Sequence, residues 1–255
     1  MIRAVHAEWT KLRTVSSTLW TVLSIVGFTV AIGALATTSL STSECGEGGI
    51  GCDTTRITVS GVYMGQLAVV VLAVLVLTPE YDTWMIRTTL AADARRARVL
   101  AAKASVATVV ALVAGSLSAL GSLVVGRIIL SDKGFHAVSL GDGPTMRAYA
   151  GTVLYCGLIA LLSLGIGTII RHTGGTITVV LALLFTLPLL ASVVTDPVWR
   201  ERILRVAPMT AGLAIQATTN LDTLPIAPWK GLALLAAYSA AAMLAGAVLF
   251  QKRDA

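Results

Sequence analysis

Long apolar blocks separated by short charged segments are the main pattern of this 255-residue chain. Each block has about 20 residues without Asp, Glu, Lys, Arg or His, enough for one helix to cross the roughly 30 Å hydrocarbon layer of a bilayer. A helix satisfies its own backbone hydrogen bonds in lipid, and the blocks lack the short alternating strands of a β-barrel. The pattern predicts an all-α polytopic membrane protein with six transmembrane helices in one domain, residues 1–255. The six blocks are Thr18–Leu40, Gly61–Pro79, Ala104–Gly126, Ala148–Ile170, Thr176–Thr195 and Gly231–Phe250.

The residues before the first block, 1–17, follow a different pattern. Ile2, Val5, Trp9 and Leu12 recur at steps of three and four residues, with cationic residues around them. This spacing predicts an amphipathic helix in the membrane interface. A cleaved signal peptide is the alternative, but the apolar run that follows exceeds the about 7–15 residues of a signal-peptide core.

The segment between the fifth and sixth blocks contains a helix signal of its own. Asp196 and Pro197 match an N-cap residue followed by proline at the first helical position. Trp199, Ile203 and Val206 then fall on one helical face, and the arginines between them can meet water or lipid phosphate. We expect a short helix at the outer surface of the membrane.

The balance of charge supports a membrane protein with both termini in the cytoplasm. Only 13% of the residues are charged, against about 25% in a soluble domain. With the N-terminus inside, eleven of the 19 Lys and Arg residues fall in inner segments and eight in outer segments, as the positive-inside rule favours. The net charge of +6 is spread over the membrane-flanking segments, so it does not indicate a nucleic-acid partner. We therefore expect a multi-pass protein of the cell membrane.

Two cysteines lie in the first predicted outer loop. Cys45 and Cys52 bracket a glycine-rich stretch, and the outer side of the membrane is the oxidising side. A disulfide there would stabilise the fold by about 2–3 kcal/mol on the chain-entropy model. Two free thiols or an adventitious metal pair are the alternatives.

The segment Glu80–Lys103 is longer than a turn between two spans requires. Its sequence is EYDTWMIRTTLAADARRARVLAAK, in which five cations against three carboxylates give a net charge of +2. Asp93 is a candidate N-cap for a helix beginning at Ala94, with three arginines in the first turns. Cations at a helix start oppose the helix dipole. An anionic partner is therefore expected, either lipid headgroups or an acidic protein surface.

Three stretches of the chain carry a resemblance to a known family. They are the acidic–aromatic pair before IRTTLAA with the following arginine pair and VLAAK, the stretch GIGTIIRHTGGTITVVLALLFTLPLL from Gly165 to Leu190, and the VHAEWTKLRT start. In these stretches the chain resembles an ABC type-2 exporter permease, the membrane subunit that works with a separately encoded ATPase. It departs from the family at Trp84, where Gly is usual, and at Ala94, where Pro is frequent.

The resemblance implies partners and a site. Residues 1–17 would form the family's elbow helix, and the loop between spans two and three would be a cytoplasmic coupling element that docks on the ATPase. Two ATPase copies would bind ATP and Mg²⁺, and a second permease, identical or a sibling, would complete the assembly in membrane lipid. The residues implied for coupling are Glu80, Arg87, Thr88, Thr89, Leu90, Asp93, Arg95, Arg96 and Arg98.

The predicted function is that of a transport subunit and not of an enzyme. The chain has no G-x-x-x-x-G-K-[ST] motif, so nucleotide hydrolysis would belong to another protein, and we expect no catalytic residue, cofactor or metal on this one. The expected substrate is lipophilic or peptide-like, and the sequence does not assign the residues that bind it.

A secondary active transporter, or another ATP-independent membrane protein, is the alternative function. The apolar blocks contain no ionisable residue that could carry a proton, although a sodium site made of carbonyl groups stays open. An intramembrane protease is not supported, because H-E-x-x-H is absent and no histidine lies within a block.

Overall fold

The structure is a computed structural model in which the described residues form helices and no strands. Six of these helices are long and apolar enough to cross a membrane. The predictions of an all-α fold and of a multi-pass membrane protein are therefore confirmed. The described residues are 6, 8–10, 16–40, 45, 52–83, 85, 88, 95–135 and 141–252.

The six candidate spans correspond one to one with the six apolar blocks. The second span is formed by two consecutive helices, and among the described residues three short helices and two 3₁₀ turns lie outside the spans. In chain order the helices are α1 (Ser16–Thr38), α2 (Thr54–Val59), α3 (Val62–Leu77), α4 (Pro79–Asp82), α5 (Arg96–Asp132), α6 (Gly143–Ile170), α7 (Thr173–Val193), α8 (Pro197–Val206), α9 (Pro208–Leu213) and α10 (Pro228–Lys252), with 3₁₀ turns at Ala214–Gln216 and Leu221–Thr223.

Helix α5 extends well beyond the third apolar block. Its 37 residues correspond to about 55 Å at 1.5 Å per residue, so it projects out of the hydrocarbon layer. It begins at Arg96, with Arg95 as an N-cap that makes no side-chain capping bond, and the predicted start at Ala94 is wrong by two residues. A capping preference is worth only about 1 kcal/mol, too little to set the first helical residue against tertiary contacts. Asp93 lies outside the described residues.

The helices run back and forth between two ends of the bundle. At one end, called here the terminal end, Lys103 near the start of α5 binds Glu8 from the N-terminal segment. At the other end, called here the disulfide end, Lys133 after α5 donates to the carbonyl of Leu40 after α1, at 2.7 Å. The first and third spans therefore run from the terminal end to the disulfide end, and the second span returns between them.

Helices α3, α5 and α6 form the centre of the bundle. In the most apolar window of each span, 67% of the residues of α6 are buried, against 17% for α1 and 22% each for α7 and α10. The last three helices are therefore peripheral, with apolar faces that meet lipid or another protein.

The disulfide end is covered by helix α8 and by a buried segment after it. Helix α8 begins at Pro197, and the Asp196 carboxylate accepts hydrogen bonds from the backbone N–H groups of Val198 and Trp199. The predicted cap is thus confirmed. No residue of α8 is buried, and the guanidinium of Arg202 lies 5.3 Å from the centre of the Trp199 ring.

Residues 207–217, called here the inserted segment, enter the bundle between α3, α6 and α10, and the sequence did not predict this. Nearly every residue of the segment is buried. Three glycines permit the close approach: a Cβ at Gly151 would lie 2.1 Å from Ile215, one at Gly231 would lie 2.0 Å from the Ala211 carbonyl oxygen, and one at Gly212 would lie 2.7 Å from the Tyr155 ring. Irregular backbone is tolerated at membrane depth when protein surrounds it, as it does here.

Candidate functional site

A buried lysine at the terminal end joins three parts of the chain. The Lys103 side chain is fully buried, and its ammonium lies 2.7 Å from Glu80 Oε1 and 2.9 Å from Glu8 Oε2. It also donates to the Val76 carbonyl at 3.3 Å. These three acceptors match the three donors of an ammonium group. One side chain of α5 is therefore bonded to the N-terminal segment, to the last turn of α3 and to α4.

The two carboxylates are nearly as enclosed as the ammonium. The side chain of Glu80 is 4% exposed and that of Glu8 is 11% exposed. With all three groups ionised the cluster has a net charge of −1. Buried charges are expensive and persist in membrane proteins mainly where they have a function, so this cluster is the first candidate for a functional site.

Tyr81, the residue after Glu80 in α4, has its aromatic ring beside an arginine. The guanidinium of Arg171 lies 5.2 Å from the ring centre, a distance typical of a cation–π contact. Burial raises the pKa of the Tyr81 phenol to about 12, an effect that Arg171 opposes. The phenol therefore stays neutral at physiological pH, and Tyr81 acts as a packing and stacking group.

A chain of hydroxyl groups connects the end of the second span to the start of the fifth. The Asp82 carboxylate accepts a hydrogen bond from the Thr173 hydroxyl, which lies 2.7 Å from the Thr78 hydroxyl. His172 caps the same helix start, because its Nδ1 accepts from the Gly175 N–H at 3.1 Å. Helix α7 is therefore attached to α3 and α4 through polar contacts at this end.

Two arginines hold the last turn of α10. Arg96 donates to the carbonyl of Phe250 at 3.3 Å, and Arg171 donates to that of Leu249 at 3.5 Å. Guanidinium groups at a helix C-terminus satisfy free carbonyls and complement the helix dipole. The terminal cluster thus contacts the N-terminal segment and all spans from the second to the sixth. Its members are Glu8, Thr78, Glu80, Tyr81, Asp82, Arg96, Lys103, Arg171 and Thr173.

The predicted coupling residues that the structure describes differ in burial. Glu80 is 3% exposed, so it belongs to the buried interior and not to the surface of this end. Arg96 and Arg98 are half-buried, whereas Thr88 and Arg95 are exposed. The other predicted coupling residues, Arg87, Thr89, Leu90 and Asp93, lie outside the described residues.

The N-terminal segment contributes a residue that sequence reasoning missed. Of the predicted apolar face only Trp9 is described, and it is 44% exposed, while its neighbour Glu8 is 9% exposed; Ile2, Val5 and Leu12 lie outside the described residues. Glu8 is the only acidic residue among the first 17, and Lys103 directly precedes the third apolar block. A lone carboxylate in a cationic segment and a lysine at the edge of an apolar block could have suggested the ion pair.

At the opposite end the cysteine pair and Asp53 hold the covering segments. Cys45 and Cys52 form a disulfide with a Cα–Cα distance of 5.1 Å. The Asp53 carboxylate accepts from the Thr218 hydroxyl at 2.7 Å and from the Thr219 N–H at 3.2 Å. These bonds attach the end of the inserted segment to the start of α2.

A buried polar contact holds the inserted segment at greater depth. The Tyr155 hydroxyl of α6 donates to Gln66 Oε1 of α3, and the Gln66 amide lies 3.1 Å from Met209 Sδ of the inserted segment. All three side chains are buried. The inserted segment is thus in contact with two central spans near their middle.

The described residues contain no group of three or more His, Cys, Asp and Glu side chains placed to hold a metal ion. The terminal cluster offers ion pairs, a stacked arginine and helix-end contacts, an arrangement suited to transmitting movement between helices. Searches against protein-family models and curated proteins found no match for this chain, so any proposal of its function depends on its own residues and fold.

Proposed function

We propose that this chain is the permease subunit of an ABC exporter of the type-2 class, with ATP and Mg²⁺ bound by a separate ATPase subunit. The observation that carries the proposal is the Lys103 ion-pair cluster, which joins the N-terminal segment, α4 and α5. The resemblance of the segments around Glu80–Lys103 and Gly165–Leu190 to that family supports the same assignment. The substrate is an unidentified lipophilic or peptide-like compound that leaves the cell.

The terminal cluster gives this proposal a physical mechanism. A force applied by the ATPase to the loop between α4 and α5 would reach Lys103 within two turns of the start of α5. Because Lys103 is bonded to Glu8 and Glu80, and Arg96 is bonded to α10, the loop and several helix ends would move as a unit. Closure of the ATPase would in this way shift the spans between inward-open and outward-open packing.

The assembly expected for such a permease has two permease chains and two ATPase copies. The second permease is an identical chain or a sibling. The apolar, largely unburied flanks of α1, α7 and α10 leave room for such a contact. In this proposal the terminal end faces the cytoplasm of the cell, with both chain termini on that side.

A proton-driven secondary transporter is the second candidate, favoured by one observation. Glu8 and Glu80 are two buried carboxylates that share one ammonium, and proton-driven transporters depend on ionisable residues in or near the membrane. However, the cluster lies at the end of the bundle, whereas secondary transporters place their coupling site near the membrane midplane. The ATP-driven assignment is therefore preferred.

The experiment is co-expression with an ABC ATPase encoded beside this chain, followed by purification through a tag on the permease. We expect the ATPase to co-purify, and its hydrolysis rate to change when the complex is placed in lipid nanodiscs. Failure of the ATPase to bind, together with substrate transport that follows a proton gradient in its absence, would overturn the proposal.

A further inference from the structure

An apolar groove runs along the flank of the bundle between α5, α6 and α10. It encloses about 320 Å³, at the lower end of the range for small-molecule sites. Ala233 and Ala236 on α10 are small lining residues that lie among larger apolar side chains such as Leu112 and Leu158. Gly157 on α6 also lines the groove and lets Leu112 pack closely, since a Cβ there would lie 2.9 Å from the Leu112 side chain.

The chemistry of the lining restricts the occupant to hydrocarbon. The lining has two polar groups, the Thr108 hydroxyl and the indole N–H of Trp229, and the Thr108 oxygen is buried without a hydrogen-bond partner. A strongly polar ligand in the groove would lose more hydrogen bonds to water than these two groups can replace. An alkyl chain loses nothing by entering.

The groove opens where the bundle surface is apolar. Val109 and Val113 on α5 and Leu154 on α6 lie at or beside it and are 48%, 53% and 44% exposed. In a six-span membrane protein such a flank is surrounded by lipid acyl chains. The groove is therefore continuous with the lipid phase along its length.

At the disulfide end the groove has amphipathic and charged residues beside it. Trp229 lines it and is 58% exposed, and Lys230 follows as an exposed cation in the first turn of α10. Tryptophan prefers the interface between acyl chains and headgroups, and lysine attracts lipid phosphate. An apolar channel with an indole and a cation at one end is complementary to a phospholipid.

We propose that this groove is a lipid site that holds one acyl chain of an anionic phospholipid, with the lipid phosphate beside Lys230. The chain would lie between α6 and α10, against the small side chains of Ala233 and Ala236. The site does not depend on an ATPase partner, and it would exist whatever this protein transports.

The test uses nanodiscs of phosphatidylcholine that contain a small fraction of phosphatidylglycerol with a diazirine in one acyl chain. After photolysis and digestion, we expect adducts concentrated on the peptides that contain Leu154–Leu161 and Leu232–Ala236. The variant Ala233→Phe places a ring in the groove and should lose most of these adducts. The variant Ala237→Phe, an exposed position on the same helix outside the lining, should keep them.

Two further measurements test the headgroup contact and the stability of the variants. Lys230→Gln should abolish the preference for phosphatidylglycerol over a diazirine phosphatidylcholine while leaving chain labelling of the groove in place. Unfolding temperatures of all variants should stay close to that of the parent protein. Labelling spread evenly over α1, α7 and the groove, or persisting in Ala233→Phe, would overturn the proposal, as would crosslinks from groove residues to a second copy of this chain.

Discussion

At the scale of single residues, Lys103 is the most consequential side chain described. Its ammonium balances two carboxylates that are 95 residues and 23 residues away along the chain. Breaking a buried ion pair by removing one partner costs more than the pair contributes, because the remaining charges stay buried without compensation. In this protein removal of the lysine would leave two glutamates facing each other.

We predict that Lys103→Met lowers the free energy of unfolding by about 3–5 kcal/mol, as for other buried pairs that lose one partner. Thermal unfolding of the purified protein in detergent measures the change. Lys252→Met, at an exposed position of the same end of the bundle, is the matched control and should be nearly neutral. A Lys103→Met protein as stable as this control would show that the buried ion pairs do not form.

At the scale of elements, one aspartate binds the inserted segment and another binds α8, and their hydrogen bonds differ in range along the chain. Asp53 belongs to the start of α2 yet receives hydrogen bonds from Thr218 and Thr219, 165 and 166 residues away. The Asp196 carboxylate accepts from the N–H groups of residues two and three positions further along. Asp53 also caps α2, because its carboxylate accepts from the Arg56 N–H at 2.9 Å. It therefore combines a tertiary contact with a local cap, whereas the Asp196 carboxylate makes a local cap.

We predict that Asp53→Ala increases hydrogen exchange throughout residues 207–217 and reduces stability by about 1–3 kcal/mol, the cost of leaving polar groups unpaired. Hydrogen–deuterium exchange with mass spectrometry resolves the segment. Asp196→Ala is the control and should raise exchange only in α8, at a cost of about 1 kcal/mol. Equal protection of the inserted segment in both variants would contradict the role given to Asp53.

At the scale of the whole molecule, substitutions of the arginines at the start of α5 can distinguish effects on docking from effects on helix packing. Arg95 is exposed, whereas Arg96 is half-buried and donates to Phe250 of α10. If the proposed ATPase docks here, charge reversal of Arg95 should act mainly on docking. Charge reversal of Arg96 should disturb docking and packing together.

We predict that Arg95→Glu weakens ATPase binding by about 1 kcal/mol or somewhat more, because an exposed ion pair is worth up to about 1 kcal/mol and reversal adds repulsion. Its unfolding temperature should fall less than that of Arg96→Glu, because Arg95 is exposed and Arg96 is half-buried. Binding is measured in neutral detergent, so that anionic lipid does not contribute. Arg200→Glu, exposed on α8 at the disulfide end, serves as the control. Unaltered binding of Arg95→Glu would place the docking contact elsewhere.

The sequence by itself determined the membrane class, the number of spans and the cap of α8. These properties are local: transfer of an apolar block into hydrocarbon depends on its composition and length, and a capping bond joins residues two or three positions apart. The same reasoning misplaced the start of α5 by two residues, because a weak local preference competes there with tertiary contacts such as that between Arg96 and Phe250.

Only the tertiary structure decided which helices meet and what their polar residues bind. Ala114, Ser118 and Ser122 recur every four residues, as expected for close helix packing, but the sequence does not show that Ser122 faces Gly33 of α1. The inserted segment is as apolar as a lipid-facing one, so composition cannot distinguish the two. The pairing of Glu8 with Lys103 spans 95 residues, and it depends on the folded path of the chain, which no local pattern encodes.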